Sequence, residues 1–127
     1  MRNLKRMDKL YIPGDLVYIH GSLRIISNCD GYYATYYDED EILQEINVNV
    51  IEGIPLTPEI LEKNGWKKFK RPYSSDYCYR RKSEPTLNIR SEKEVYFHWG
   101  DHDKSIITIH QLQHLLFGLG LNSEMEV

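Results

Sequence analysis

Short β-type runs separated by tight-turn residues fill the first half of the chain, and no other feature limits the fold as much. The runs are Asp15–His20, Leu23–Asn28, Tyr32–Tyr37 and Ile46–Ile51. Gly21-Ser22 and Asp30-Gly31 stand between the first three runs, and dipeptides of this kind connect neighbouring antiparallel strands. Strict alternation in the fourth run predicts a strand with one apolar face. We therefore expect a small antiparallel meander that can curl as an SH3-like barrel.

Two helices with clear end signals organise the remainder of the chain. Thr57-Pro58 and Asn64-Gly65 predict a short helix over 58–64, because they supply an N-cap, a first-turn proline and a left-handed stop. Thr108 and Gln111 form a capping box that predicts a helix over 109–119, ended by Gly120. The strands predicted between the helices are Asp76–Arg81, Thr86–Arg90 and Glu94–Trp99. The predicted class is α+β: an N-terminal meander, a linking helix, then β-β-β-α with the last helix packed on the sheet.

A length of 127 residues with 41% hydrophobic residues suits a single domain over 1–127. Its expected subregions are a β-meander over 10–52, a helical connector over 53–66 and the β-β-β-α part over 67–127. No apolar run reaches membrane-spanning length, and the N-terminus lacks the apolar core of a signal peptide. Cys29 and Cys78 form neither a metal motif nor a disulfide framework. These features predict a cytoplasmic protein without membrane association.

Charge is segregated along the chain, although the formal net charge is only −3. No lysine or arginine occurs between Ile25 and Leu61, whereas nine basic residues lie between Lys63 and Arg90. The basic segment is interleaved with aromatic residues, a combination that can hold phosphate and stack on bases. The candidate ligand-binding residues are Lys67, Lys68, Arg80, Arg81 and Arg90 for phosphate, with Tyr36, Tyr37, Tyr77 and Tyr79 as stacking platforms. The alternative is that the two halves attract each other or form solvated strand faces.

The C-terminal helix is expected to bury one stripe and expose another. Ile109, Leu112, Leu116 and Leu119 share an arc that should face the sheet. The opposite side would carry His110, His114, Phe117 and Leu121, which we interpret as an interface for a homodimer or a foreign partner. The two histidines have metal-ligand spacing, but Gln111 cannot act as the base of a zinc peptidase and no further ligand is evident. We expect no metal and no cofactor there.

A second cluster of chemistry-bearing residues is His98–Asp103, which holds two histidines and two aspartates. Through His98, Asp101 and His102 it offers a metal-dependent enzyme as the alternative function, while turn preference explains the same residues structurally. No glycine-rich phosphate loop or serine-nucleophile motif occurs in the sequence. A nucleic-acid-binding module is a further alternative, against which the sequence pI of about 5.9 argues.

Two segments carry a resemblance to known proteins. IPLTPEILEKNGWKKF over 54–69 and IHQLQHLLFGLGL over 109–121 resemble a group of short proteins found in gut bacterial genomes, prophages and phages. These proteins typically carry "IPLTPEILEKNGF" and a terminal "HELQH" or "HQLQN" helix, and Trp66 stands where they usually have phenylalanine. The resemblance implies a genetic setting, a phage or mobile element, and no activity.

We therefore expect a small non-enzymatic binding protein of phage or mobile-element type, acting as a counter-defence factor. It would either sequester a small phosphorylated nucleotide signal or bind a host protein. The nucleotide version would use the basic and tyrosine residues named above. The host-protein version would use the acidic first half and the face formed by His110, His114 and Phe117.

Overall fold

The computed structural model describes residues 10–70, 77–82, 85–91, 94–99, 102–106 and 108–127. It confirms the α+β class: within these ranges the chain forms two five-stranded antiparallel sheets and a C-terminal helix packed against the second sheet. The chain divides into two compact units, of which the first ends at Ile54 and the second begins at Pro55.

The first unit is a meander whose last strand returns to its first. Its strands are β1 (Leu16–Ile19), β2 (Ser22–Cys29), β3 (Tyr33–Tyr37), β4 (Leu43–Asn47) and β5 (Ile51–Gly53). They lie in the order β4-β3-β2-β1-β5, with β5 antiparallel to β1. A register shift between Ile26 and Asn28 bends β2, so that its two ends pair with different neighbours.

Alternation along these strands builds the core of the first unit. The buried cluster consists of Tyr11, Val17, Ile19, Ile26, Ala34, Val48 and Ile51. Because successive side chains of a strand point to opposite faces, the residues between these core positions lie on the outer face of the sheet. That outer face carries the candidate site described below.

Two local predictions for the first unit are wrong. Ile46–Ile51 is not one strand, because a 3-10 turn over Val48–Val50 interrupts it and separates β4 from β5. The Asn47 side chain caps this turn by accepting a hydrogen bond from the Asn49 backbone N–H at 2.9 Å. The first hairpin turn lies at His20-Gly21 rather than one residue later, since both residues have positive φ and Ile19 pairs with Ser22.

The second unit adds two strands to the three predicted. Its elements are α1 (Pro58–Lys63), β6 (Lys67–Phe69), β7 (Tyr77–Arg80), β8 (Thr86–Ser91), β9 (Glu94–Trp99), β10 (His102–Ser105) and α2 (Ile109–Gly118). The strands lie in the order β10-β9-β8-β7-β6, each antiparallel to its neighbour. Within the described residues, β6 and β10 are the two edges of this sheet; β6 is not predicted by the sequence, and near β10 the sequence indicates only a brief extended piece over 105–107.

One face of the second sheet forms the core of its unit. Cross-strand pairing aligns Tyr79 with Leu87 and Leu87 with Phe97, and all three side chains are buried. The helices bury further apolar side chains at Leu61, Ile109, Leu112 and Leu116, and Trp66 is buried after α1. Within the described ranges, neither helix is long and apolar enough to span a membrane.

The helix ends follow the sequence predictions closely. Thr57 accepts a hydrogen bond from the Ile60 backbone N–H at 3.2 Å, and Thr108 and Gln111 form the capping box. Gly65 and Gly120 both have positive φ after the helices. The buried stripe of α2 is shorter than expected, because Leu119 is the C-cap residue and its side chain is exposed.

Candidate binding surfaces

The outer face of the first sheet carries an apolar row across three adjacent strands. Tyr37 of β3 pairs with Leu43 of β4, and the pairing of Ile26 with Tyr36 places Ile25 of β2 beside Tyr37. The side chains of Ile25, Tyr37 and Leu43 are 59%, 57% and 51% exposed. We refer to these three residues as the outer-face row. Sheets with one solvated face usually place polar residues at such positions, so the row departs from the ordinary pattern.

A shallow groove follows this row along β2. Its volume is about 470 Å³, and it is lined by Leu23, Arg24, Ile25, Ile26, Ser27 and Tyr37. Leu23, two residues before Ile25 on β2, is also exposed and extends the apolar surface along this strand. The sequence signal for this surface was the apolar character of β2 on both faces, with Leu23 and Ile25 alternating against the buried Ile26.

An acidic turn over residues 38–41 adjoins the row, between Tyr37 and Ile42. The Asp38 carboxylate accepts hydrogen bonds from the backbone N–H groups of Asp40 and Ile42 at 2.9 and 3.0 Å, and from Gln44 Nε2 at 2.8 Å. The bond from Ile42 and then that from Gln44 lower the pKa of Asp38 below its usual value. The turn therefore has a fixed conformation and a negative charge at neutral pH.

Arg24 is the cation nearest in sequence to this acidic turn, and its charge is already compensated. Its guanidinium donates to the Glu39 carboxylate and lies over the Tyr36 ring, 5.9 Å from the ring centroid. The bond from Arg24 lowers the pKa of Glu39. No lysine or arginine occurs between Ile25 and Leu61, so the charged residues of β3, β4 and the turn between them are all acidic.

Lys67 and Arg80 of the predicted ligand-binding set lie directly opposite each other on β6 and β7, on the outer face of the second sheet. The Arg80 guanidinium is 5.0 Å from the centroid of the Phe69 ring, and its Nη2 donates to Thr86 Oγ1 at 3.4 Å. The same row of the sheet continues through Thr86 to His98, whose Nε2 lies 2.9 Å from Asn88 Nδ2. This face could hold an anion.

The other predicted ligand-binding residues of the second unit do not join that pair. Lys68 pairs with Tyr79 and belongs to the opposite face, where its Nζ lies 3.7 Å from the Tyr77 ring centroid. Tyr79 is only 2% exposed, so it cannot stack on a base. Arg81 lies over the Trp66 ring and donates to a backbone carbonyl, that of Asn122, at 2.8 Å.

The remaining members of the predicted set are Tyr36, Tyr37 and Arg90. Tyr36 and Tyr37 belong to the first unit. The side chain of Arg90 lies outside the described residues. Among the described second-unit residues of the set, Lys67 and Arg80 are the two cations that share one face of the sheet.

The predicted interface face of α2 is only partly exposed. His110 is 7% exposed, so its placement on the solvent-facing side is wrong; its ring centroid lies 5.8 Å from that of His114. Phe117 is 66% exposed, while His114 and Leu121 are half-buried. Phe117 is thus the exposed apolar residue on which an interface at this helix would depend.

The predicted His98–Asp103 metal loop is described only in part. His98 lies in β9, and the backbone of His102 and Asp103 begins β10, but their side chains and the whole of Asp101 lie outside the described residues. Among the residues that the structure does describe, no three His, Cys, Asp or Glu side chains come together as a metal-ligand set.

Comparisons with known proteins do not identify a family for this chain. No protein-family model, no curated protein and no solved structure matches it. Function is therefore inferred from the geometry of the outer-face row and of the Lys67–Arg80 pair.

Proposed function

We propose that this chain is a small non-enzymatic binding protein that holds a host protein on the outer-face row. We further propose that it acts as a counter-defence factor of a phage or mobile element. The genetic setting is supported by the resemblance of residues 54–69 and 109–121 to proteins from phages and gut bacteria. The host-protein version of the function is supported by the surface of the first sheet.

The observation that carries this proposal is the exposure of three large apolar side chains on three adjacent strands. Ile25, Tyr37 and Leu43 each leave more than half of their surface in water. Fully burying one such side chain contributes about 1.5–3 kcal/mol, so covering the row would supply several kcal/mol to an association. A contiguous exposed apolar surface with a polar rim is typical of protein interaction sites.

The chemistry of this surface suits binding rather than catalysis. The outer-face row offers apolar area, and the neighbouring acidic turn uses Asp38 to hold its own backbone. Such groups can recognise a partner by burial and charge, whereas an acid–base or nucleophilic reaction needs positioned proton-transfer or attacking groups.

The test places a photo-crosslinking amino acid at position 37 in cells that carry the gene. We expect one host protein to be crosslinked, and we expect Ile25→Asp to abolish this product because it places a charge in the row. The matched control is Val50→Asp, which changes an exposed apolar residue on the 3-10 turn and should leave crosslinking intact. Circular dichroism would verify that both variants fold. Equal crosslinking in both variants, or none in the wild type, would refute the proposal.

An anionic ligand on the second unit is the second candidate function. The direct pairing of Lys67 with Arg80 favours it, because like charges opposite each other in an antiparallel pair destabilise a sheet unless an anion compensates them. A phosphorylated nucleotide would place its phosphate there. Pyrophosphate binding by variants of Arg80 and Lys68 tests this candidate.

A further inference from the structure

We propose that the partner of the first unit binds as an added β-strand along the free edge of β4, and that this strand is basic and apolar. This inference rests on the proposed function and names the partner class. Within the described residues β4 pairs with β3 alone and forms one edge of its sheet. The outward backbone groups of an edge strand can pair with an extended segment of another chain.

The edge of β4 carries little of the protection that edge strands usually have. Natural edges are blunted by charged side chains, above all lysine, and by proline, bulges or very short length. Leu43–Asn47 is five residues long, has one charged residue, Glu45, and no lysine or proline, and pairs with β3 in continuous register. By contrast, β5 at the other edge has only three residues. The long, regular edge is therefore the one beside the outer-face row.

Both ends of β4 are held in place before any partner arrives. At its start, Asp38 accepts hydrogen bonds from the Ile42 backbone and the Gln44 side chain. At its end, Asn47 caps the 3-10 turn. A strand fixed in this way loses little conformational entropy when another strand pairs with it, so the edge is preorganised for strand addition.

The exposed side chains of β4 define what the added strand should contain. Leu43 and Glu45 lie on the outer face, and Ile46 is half-buried on the core face. Cross-strand pairing favours an apolar residue opposite Leu43 and a lysine or arginine opposite Glu45, with a further apolar residue opposite Ile46. The acidic turn at residues 38–41 adds attraction for a basic segment.

Charge also argues for a foreign strand rather than a second copy of β4. Two copies paired antiparallel about the middle of β4 would place Glu45 opposite Glu45 of the other copy, and like charges in that position are unfavourable. A basic segment of a host protein has the complementary charge. The occupant we infer is therefore an extended, basic and apolar segment of that protein.

The test uses the full-length protein and a synthetic peptide with the core Thr-Val-Lys-Thr-Leu, which matches β4 in antiparallel register. We expect saturable binding, with hydrogen exchange at alternate β4 amides slowed at least about tenfold. N-methylation of the peptide amides that face β4 should abolish binding. N-methylation of the alternate amides, which face away from β4, should leave binding intact. Unchanged β4 exchange at saturation would overturn the inference, as would equal binding of both N-methylated peptides.

A charge-reversal pair of variants tests the predicted partner class. Glu45→Lys should weaken binding of the lysine peptide at least about tenfold and strengthen binding of a peptide with glutamate in place of the lysine. The matched control is Glu52→Lys on β5, which should change the affinity for neither peptide. Host-protein crosslinking that depends on Ile25 would support the proposed function by itself. If, in addition, the peptide does not slow β4 hydrogen exchange and Glu45→Lys does not change peptide affinity, only the inference of strand addition is overturned. Concentration-dependent slowing of β4 exchange without peptide would show a second copy and also overturn the inference.

Discussion

At the scale of single residues, burial changed the roles that the sequence suggested. Tyr79 lies between basic residues in the sequence and was expected to stack on a base, but its side chain forms part of the core of the second unit. Burial raises the pKa of the Tyr79 hydroxyl above its usual value, and the nearby charges of Glu62 and Glu59 raise it further. Tyr79 is thus a packing residue with a titratable group.

The raised pKa of Tyr79 predicts a loss of stability in alkaline solution. The unfolded chain releases this proton near pH 10, while the native chain still retains it. Tyr79 therefore makes its full contribution to the free energy of unfolding below pH 10, and this contribution is lost as the pH rises above that value. We expect the urea midpoint of the wild type to fall more between pH 9 and 11 than that of Tyr79→Phe. Tyr77→Phe, at an exposed position, should behave like the wild type. An equal fall of the urea midpoint with pH in the wild type and in Tyr79→Phe would contradict this prediction.

At the scale of elements, β6 and β7 form a hairpin whose two faces hold different cations. Lys67 and Arg80 share the outer face, whereas Lys68 belongs to the opposite face with Tyr77. The sequence showed a basic segment but could not separate these faces, because β6 itself was not predicted. The pairing register therefore places Lys67 beside Arg80 on one face of the sheet and Lys68 on the other face.

This separation predicts how an anion would respond to substitution. If pyrophosphate binds between Lys67 and Arg80, Arg80→Ala should weaken its binding by roughly 1–3 kcal/mol, the range for charged hydrogen bonds. Lys68→Ala removes the same charge from the other face and should have little effect. Isothermal titration calorimetry at fixed ionic strength would measure both. Equal losses would indicate general charge attraction, and undetectable binding by the wild type would remove the anionic-ligand candidate.

At the scale of the whole molecule, self-association through α2 stays a prediction with fewer supporting residues. His110 is buried, so a two-fold pairing would depend on the exposed Phe117, with His114 and Leu121 at its margin. A second copy could cover Phe117 by the same helix face, as symmetric dimers do.

Sedimentation at high protein concentration would test this assembly. We expect the wild type to approach twice its mass of 15.1 kDa and Phe117→Asp to remain a folded monomer, because a carboxylate cannot be buried in an apolar contact without a partner. Val50→Asp serves again as a control at an exposed apolar position. A wild type that stays monomeric would exclude the dimer and leave Phe117 available to another partner.

The sequence by itself determined the features that depend on local chemistry. The caps at Thr57 and Thr108 and the stops at Gly65 and Gly120 form as predicted, because each involves backbone groups within a few residues. The α+β class and the first three strands follow from turn residues and side-chain alternation for the same reason. Charge segregation was likewise readable, since it is a property of composition along the chain.

Only the tertiary structure decided which residues meet and which are covered. The edge strands β6 and β10 consist mainly of polar residues without apolar alternation, so they become strands through hydrogen bonding to β7 and β9. Val48 is buried although it stands in a 3-10 turn, and Tyr79 is buried although Arg80, Arg81 and Lys82 follow it directly in the sequence. The outer-face row exists because cross-strand register aligns Ile25, Tyr37 and Leu43. These outcomes depend on contacts between residues distant in sequence, which local patterns do not specify.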